Sequence, residues 1–320
     1  MKAWPFTKGL HDLGNGCYAY LQPAGTWGLS NAGLVVDGDE VLLVDTLMDL
    51  KLTAEMLATM QRAVPASANI ETLVNTHGNP DHFFGNQLVE GATIVASAAA
   101  AKEIAAMNPA ALVGMSHNWQ QLGDAGAFFH DTMGVDFDYT GIIVTPPTQT
   151  FDRELTLHVG GKTVELRNAG PAHTGGDTLV HVPADRTIFT GDILFNRGHP
   201  IIWAGPIANW IAACDYILGL DVETVVPGHG PITDKSAVRD FKQHLEYIAH
   251  ETRTRYDAGM DVEAAARDIS LEQFDGWTDE ERIVANVMAL YREFSGNETR
   301  AALPELFGAM GRYRKEHPGA

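Results

Sequence analysis

Histidine and aspartate residues recur in this 320-residue sequence wherever a segment with the composition of a buried strand ends. His77, Asp81 and His82 lie in the segment THGNPDH, directly after residues 71–75, which have the pattern of a short buried strand. The segments PAHTGGD, TGD and PGHG follow later predicted strands and contain His173, Asp192 and His229. Because loops at strand ends can meet at one edge of a sheet sandwich, the series favours a fold that gathers four separate loops in one place.

These six side chains are of the types that bind divalent metal ions in hydrolytic enzymes. Imidazole nitrogens and carboxylate oxygens are usual zinc ligands, and a catalytic zinc site leaves one position open for water. Two neighbouring ions that share a carboxylate make a stronger nucleophile of that water and stabilise a developing oxyanion. Any one of these histidines would more often be structural, but their joint pattern predicts a metal centre.

The strand and helix patterns predict an α/β (α+β) fold with two β-rich halves. Residues 34–36 and 41–44 predict one hairpin, and residues 155–159 and 163–167 predict another. Further strands are predicted at 71–75, 93–96, 178–182, 187–189 and 224–226, and helices at about 51–63, from about His82, at about 97–107, at 207–218 and from about Lys235. Two packed sheets with helices outside form an αββα sandwich, which is the architecture we expect.

The predicted organisation is an αββα domain over residues 1–235 and a helical extension over residues 236–320 that packs on the same domain. Residues 108–140 are less regular and rich in aromatic residues and methionine. They predict either a core-covering helix or a lid or pocket wall, because long insertions in compact domains are often functional. The final segment GRYRKEHPGA has the composition of a frayed terminus.

Charge and cysteine content exclude several classes of function. The 22 basic and 41 acidic residues give a net charge of −19, which repels phosphate backbones, so we expect no nucleic-acid partner. Cys17 and Cys214 provide neither a disulfide framework nor a C-x-x-C motif. No run approaches the roughly 20 apolar residues of a spanning helix, and MKAWPFTKGL lacks the apolar segment of a signal peptide. We therefore expect a cytoplasmic protein with no membrane partner, and the oligomeric state stays open.

Taken together, THGNPDH, AHTGGD, TGD and PGHG resemble the metallo-β-lactamase superfamily, whose hallmark is H-x-H-x-D-H followed by a distant histidine, an aspartate and a last histidine. The resemblance covers about residues 15–235 and implies one or two zinc ions per chain, while ligand softness leaves iron and manganese open. It implies that the first metal is bound by His77 and His173, that the second is bound by Asp81, His82 and His229, and that Asp192 bridges the two.

Asn79 departs from the family pattern, because it stands where the second histidine usually lies. An amide oxygen is a weaker zinc ligand than imidazole, so Asn79 either binds the first metal through its oxygen or leaves that ion loosely bound, absent or completed by water. Asp81 would also orient the nucleophile and relay its proton. Asp45, which closes VLLVDT, would support the ligands without touching the metal.

A second resemblance concerns the segment after Asp192. The pattern W-x-GP-x-x-NW, together with the asparagine in the metal motif, is similar to a subgroup described as polyketide cyclases or thioesterases of aromatic polyketide pathways. The candidate substrate-binding residues of this segment are Phe195, Trp203, Asn209 and Trp210. The tryptophans could equally pack the helix 207–218 on the sheet. His199 is a candidate general acid or simply a loop residue.

The predicted function is a metal-dependent hydrolase in which metal-bound hydroxide attacks an ester, thioester or lactone carbonyl of a small apolar or aromatic substrate. In a polyketide cyclase, the same Lewis acid would stabilise an enolate during ring closure. The alternatives are a β-lactamase or other amide or lactam hydrolase, a mononuclear iron enzyme, and a non-catalytic binding scaffold with a degraded metal site. A serine hydrolase is not supported, because the sequence has no G-x-S-x-G elbow.

Overall fold

The computed structural model describes residues 4–297 and 299–317, and within them two β-sheets pack face to face. The first sheet contains, in spatial order, β1 (Gly9–Gly14), β2 (Cys17–Leu21), β3 (Ala32–Asp37), β4 (Glu40–Val44), β5 (Thr72–Val74), β6 (Thr93–Ser97) and β7 (Gln149–Phe151). The second contains, in chain order, β8 (Glu154–Val159), β9 (Lys162–Asn168), β10 (Thr178–Val182), β11 (Thr187–Phe189) and β12 (Thr224–Val226). Both predicted hairpins are confirmed, as β3–β4 and β8–β9.

Alternating side chains explain why these strands form the centre of the sandwich. Val35, Leu42 and Val44 belong to the apolar cluster between the two sheets. Leu34 and Leu43 point the opposite way, into the cluster that the first helix covers. Since successive residues of a strand face opposite sides, such strands are buried on both faces and must lie between layers. The predicted α/β sandwich is confirmed.

The helices lie on the outer faces of the sheets. They are α1 (Leu50–Ala63), α2 (Ala98–Ala106), α3 (Pro109–Asn118), α4 (Gly123–Phe129), α5 (Ile207–Gly219), α6 (Lys235–Asp257), α7 (Val262–Asp268), α8 (Arg282–Ser295) and α9 (Leu303–Glu316). The α6 helix begins after Asp234, whose carboxylate accepts a hydrogen bond from the Ser236 amide. Within the described residues, no helix is both long and apolar enough to cross a membrane.

The helix predicted from about His82 is wrong. The chain there forms only two short 3₁₀ turns, Pro80–His82 and Asn86–Leu88. The Asn86 amide donates to Asn75 Oδ1, and the Asn75 amide donates to the His82 carbonyl. In this segment, side-chain hydrogen bonds thus take the place of the regular backbone hydrogen bonds of a helix.

The C-terminal helices share one apolar cluster with the residues around the β-sheet edge. Phe241 of α6, Leu290 of α8 and Phe307 of α9 all belong to it, together with Trp27. The expectation that the C-terminal segment is frayed is wrong for residues 311–316, because they continue α9 and Tyr313 is buried there. Residues 318–320 of that segment lie outside the described part of the chain.

Candidate metal centre

The loops that follow β5, β9, β11 and β12 bring their histidine and aspartate side chains together. The Asp192 carboxylate lies at the centre of the group: its Oδ1 is 3.1 Å from His82 Nε2, and its Oδ2 is 3.3 Å from both His173 Nε2 and His229 Nε2. His77 Nε2 lies 3.7 Å from Asp192 Oδ2. All five of these residues are buried. The structure therefore gathers the side chains that the sequence singles out around one carboxylate.

The donor atoms of this group fit divalent metal ions. Two sets have ligand atoms within 4.8 Å of one another: His77 with His82 and Asp192, and Asp81 with His82 and His229. Among the residues that the structure describes, the Nε2 atoms of His77, His82 and His173 are buried and have no partner that meets hydrogen-bond geometry. Such an orphaned buried polar atom costs about 1–3 kcal/mol, which a bound cation would offset. His82 belongs to both sets, whereas the sequence assigned it to the second metal alone.

Neighbouring groups set the orientation of each imidazole. His82 Nδ1 donates to Asp45 Oδ2 over 2.9 Å, and His173 Nδ1 donates to the Ile201 carbonyl over 2.7 Å. His77 Nδ1 lies 3.0 Å from Thr76 Oγ1. When Nδ1 carries the proton, the Nε2 lone pair is free to bind a metal. Asp45 thus lies where the sequence predicted a supporting group.

Two glycines allow the loops to approach this closely. Gly191, before Asp192, has a φ of +49°, and a Cβ there would lie 2.6 Å from Thr76 Oγ1. Gly228, before His229, would drive a Cβ into the Asp192 carboxylate. Glycine removes both conflicts because it has no side chain and tolerates positive φ. The glycines of TGD and PGHG therefore shape the site as directly as the ligands do.

The charges of the cluster shift the pKa values of its members. Burial opposes protonation of His229, but the carboxylates of Asp192 and Asp81 outweigh it and raise its pKa to about 9. Burial likewise disfavours a charged Asp81, but the positive charges of His82 and His229 hold its pKa at about 2. The carboxylates are therefore ionised near neutral pH and attract positive charge, so a divalent cation would compete with protons for the same atoms.

A cavity of about 250 Å³ opens beside the cluster. Part of its lining consists of metal-binding candidates, and the rest is mainly apolar. The lining includes Trp27, Met48, Asn79, Asp81, Met107, Leu112, Met133, His173, Asp192, Phe195, Ile201, Trp203, His229, Arg282, Leu303 and Phe307. Leu112 and Met133 come from residues 108–140, so this segment supplies part of the cavity wall. A larger open groove of about 1380 Å³ near Trp4 and Lys235 contains none of the six predicted ligands.

Two of the four predicted substrate-binding residues line this cavity. Phe195 stacks on the His229 imidazole, with ring centroids 5.1 Å apart and planes 4° from parallel, and Trp203 forms another part of the wall. Asn209 is exposed, and its amide donates to the Pro171 carbonyl. Trp210 is fully buried, and its Nε1 donates to the Ile193 carbonyl. The expectation of substrate contact is therefore withdrawn for Asn209 and Trp210.

The structure also leaves His199 outside the cavity lining. Its side chain is buried, with Nδ1 3.2 Å from His244 Nε2 and its ring packed near Trp277. It has no route to a leaving group there, so the candidate role as general acid is withdrawn. The loop that carries His199 is covered by His244 of α6 and by Trp277 in the segment before α8.

Sequence reasoning missed the cavity residues Trp27, Met48, Arg282 and Phe307. Arg282 and Phe307 lie far along the chain from the histidine motifs, and no local pattern distinguishes any of the four from a core residue. The signal that could have found them is spatial: α8 and α9 return to the sheet edge where the ligand loops meet. For Arg282 and Phe307, only the tertiary packing of the C-terminal helices provides this signal.

Comparison with known proteins agrees with this architecture. Residues 25–229 match the family model of the metallo-beta-lactamase superfamily. The subunit alpha of 2,4-dinitroanisole O-demethylase from Nocardioides sp. is 32% identical over 90 residues, which are 26% of this chain and 26% of that protein. An uncharacterized protein of Mycobacterium leprae is 34% identical over 115 residues, 33% of this chain and 52% of that protein. The matches thus span between a quarter and about half of these relatives.

Two solved structures share the fold. The inverting sec-alkylsulfatase Pisa1 from Pseudomonas sp. has a TM-score of 0.67 at 15% identity and covers 98% of this chain, which spans 55% of that protein. A metallo-beta-lactamase from Pontibacter korlensis has a TM-score of 0.56 at 19% identity and covers 75% of this chain and 99% of that one. The family match includes all six strand-end histidine and aspartate residues. This chain belongs to the metallo-beta-lactamase superfamily.

Proposed function

We propose that this chain is a metal-dependent hydrolase that cleaves an ester, thioester or lactone of a small apolar substrate. One observation carries the proposal: the buried His and Asp cluster forms one wall of a largely apolar cavity. Reactive and binding sites of enzymes commonly combine an apolar cavity with a few placed polar groups. Zinc is the ion we propose, because imidazole and carboxylate ligands in a buried site suit it.

The chain's own residues would hold one or two such ions. His77, His82 and Asp192 form one candidate set, and Asp81, His82 and His229 form the other. His173 Nε2, 3.3 Å from Asp192 Oδ2, would complete the first set. When bound, the metal would supply Lewis acidity and an activated water.

Asp81 is the proposed acceptor of the proton that water loses as it attacks the carbonyl. It lines the cavity, and its Oδ2 lies 3.3 Å from His229 Nε2. Its Oδ2 also lies 3.6 Å from His82 Nε2, so the carboxylate belongs to the buried group of ligand candidates. An ionised carboxylate at hydrogen-bond distance from the reacting water can orient it and take its proton.

The apolar part of the cavity would bind the acyl or aromatic portion of the substrate and exclude bulk water. Trp203 and Met133 line it from separate segments of the chain. Such a wall favours a planar or acyl group, in keeping with the proposed cyclase or thioesterase subgroup. In a cyclase, the same site would stabilise an enolate during ring closure.

A second candidate reaction is cleavage of a sulfate ester. The specific observation is that the likeness to the alkylsulfatase extends over 98% of this chain and therefore includes the C-terminal helices that close the cavity. At 15% identity this likeness concerns the fold, so the substrate has to be tested directly.

The test is a panel of 4-nitrophenyl esters, acyl thioesters, lactones, β-lactams and a secondary alkyl sulfate, assayed with zinc-loaded protein. We expect turnover of at least one ester, thioester or lactone, its loss on chelation, and its recovery when zinc is restored. Asp192→Asn should reduce kcat at least a hundredfold, whereas Asp39→Asn, in an exposed hairpin turn, should leave it unchanged. Turnover that survives in both the chelated protein and Asp192→Asn would contradict the proposal.

A further inference from the structure

Arg282 is a buried cation in the wall of the cavity. It is the first residue of α8, only 2% exposed, and it lines the same space as Asp192 and His229. Burying a charge is costly unless it is paired and hydrogen-bonded. The contacts of this guanidinium therefore show whether all of its donors are used within the fold or some are free for a ligand.

Those partners leave part of its hydrogen-bonding capacity unused. Nη1 donates to the His199 carbonyl over 2.9 Å. Nη2 lies 3.3 Å from Asp279 Oδ2, which is long beside the roughly 2.7–2.9 Å of a strong charge-assisted bond. Nε is buried and has no hydrogen-bond partner among the described residues. Arginine carries five N–H donors, so a further acceptor can be accommodated.

Aromatic rings hold the guanidinium in place. Its central carbon lies 4.5 Å from the centroid of the Trp27 ring and 5.3 Å from that of Phe195. Trp27 is itself anchored, because its Nε1 donates to Glu281 Oε1 over 2.8 Å. Phe195 stacks on His229, so Arg282 is connected to the metal cluster through one ring. A guanidinium fixed in this way is pre-organised for a planar oxyanion.

Positive charge also lines the adjoining groove. A groove of about 600 Å³ shares Trp203 and Leu303 with the cavity, and its wall contains Arg292 and Arg300. Burial, and after it the charge of Arg300, lowers the pKa of Arg292. Glu305 is the acidic residue of this lining. On a chain of net charge −19, this concentration of arginine is a local exception that would attract anions.

We infer that Arg282 is a specificity-determining residue that binds an oxyanion group of the substrate, and that the cavity selects apolar molecules carrying a carboxylate, sulfate or phosphate group. This inference rests on the proposed function, since it names the substrate class of the same site. The scissile bond would face the His and Asp cluster, and the anionic group would lie against Arg282.

The test compares two esters of equal size: the mono-4-nitrophenyl ester of adipic acid, which is anionic, and its neutral terminal amide. We expect the zinc-loaded protein to prefer the anionic ester at least tenfold in kcat/KM. Arg282→Gln should bring the ratio close to one, and Arg282→Lys should retain part of it. Arg253→Gln, an exposed arginine on α6, is the matched control and should keep the full preference.

Two further arms keep the outcome unambiguous. The double variant Arg282→Gln/Asp279→Asn removes both members of the ion pair, so a folding defect caused by an unpaired aspartate is separated from a loss of recognition. Calorimetric binding of hexanoate and hexanamide to metal-free protein measures recognition without turnover, and we expect an Arg282-dependent preference for hexanoate of about tenfold.

Equal turnover of the two esters, or a preference that persists in Arg282→Gln, would overturn the inference and leave the proposed hydrolase intact. Absence of ester turnover combined with Arg282-dependent hexanoate binding would support the inference and count against the proposed function. Equal binding of hexanoate and hexanamide by the wild-type protein would overturn the inference in either case.

Discussion

Asp45 Oδ2 lies 2.9 Å from His82 Nδ1, and the same carboxylate accepts two hydrogen bonds of 2.7 Å from the amide and hydroxyl of Thr76. Asp45 has a φ of +62°, which non-glycine residues seldom adopt, and it is buried at the end of β4. One carboxylate therefore fixes the imidazole shared by both candidate ligand sets and the loop that carries His77.

Asp45→Asn should weaken metal binding without unfolding the protein. Asparagine tolerates the positive φ, but its amide would present N–H donors to His82 Nδ1 and favour the tautomer protonated at Nε2. We expect zinc affinity to fall about 10–100-fold, the range for lost ligand-supporting partners. Competition with a chromophoric chelator measures it. An unchanged affinity would contradict the supporting role, and Asp39→Asn is the matched control.

Asn79→His should strengthen the weaker of the two candidate sites. Asn79 lines the cavity beside Asp81, and imidazole is the better zinc ligand. We expect the second equivalent of zinc to bind at least tenfold more tightly in this variant, as read by calorimetric titration of the metal-free protein. If the titration curves of Asn79→His and wild type coincide, residue 79 does not face a metal position.

The sequence predicted the ligand loops because each motif directly follows a short apolar strand, and strand ends lie at sheet edges. Asp45 and the hairpins were predictable for the same local reason. The cavity wall was not predictable, because tertiary packing decides which of the two nearby tryptophans, Trp203 or Trp210, borders the cavity. Trp210 points into the core against Phe241, whereas Trp203 precedes α5 and borders the cavity.

The same limit applies to residues remote in sequence. Arg282 and Phe307 reach the cavity only because α8 and α9 fold back over the ligand loops. His199 illustrates the converse: a histidine in a glycine- and proline-containing loop looked available in sequence, and tertiary contacts bury it. Local sequence patterns thus predict which loops carry the ligands, whereas long-range packing determines which residues surround the site.

Trp203→Ala should weaken binding of apolar substrates. The side chain is half-buried and belongs to the wall of both the cavity and the adjoining groove. Removing it exposes an apolar acyl group to water, so we expect KM for a 4-nitrophenyl acyl ester to rise about tenfold with little change in kcat. Trp119→Ala should leave KM unchanged, because this half-buried tryptophan stacks on His130 and is not part of the cavity lining. Equal KM values in both variants would remove Trp203 from the binding site.

His199 should lower the free energy of unfolding at acidic pH. Burial, reinforced by the charge of Arg282, lowers its pKa to about 3, whereas an unfolded histidine takes up a proton near pH 6.5. The folded state therefore excludes a proton that the unfolded state binds, so this contribution is present above pH 6.5 and is lost as the pH falls towards 3.

We expect His199→Asn to reduce the loss of unfolding free energy between pH 7 and pH 5 by about 2 kcal/mol. Urea denaturation of metal-free protein at the two pH values measures it, and the metal-binding histidines contribute equally to both proteins. His158→Asn, at an exposed position on β8, should show no such change. A His199→Asn variant with the wild-type pH dependence would show that this histidine is not held neutral.

The metal content of the gently purified protein tests the central claim most directly. Elemental analysis of the wild type should find between one and two equivalents of a divalent metal per chain, with zinc the expected ion. His82→Ala should hold less than a tenth of that amount, because His82 belongs to both ligand sets, whereas His158→Ala should match the wild type. A wild-type protein that holds no metal, even after incubation with zinc, would contradict the assignment of this cluster as a metal centre.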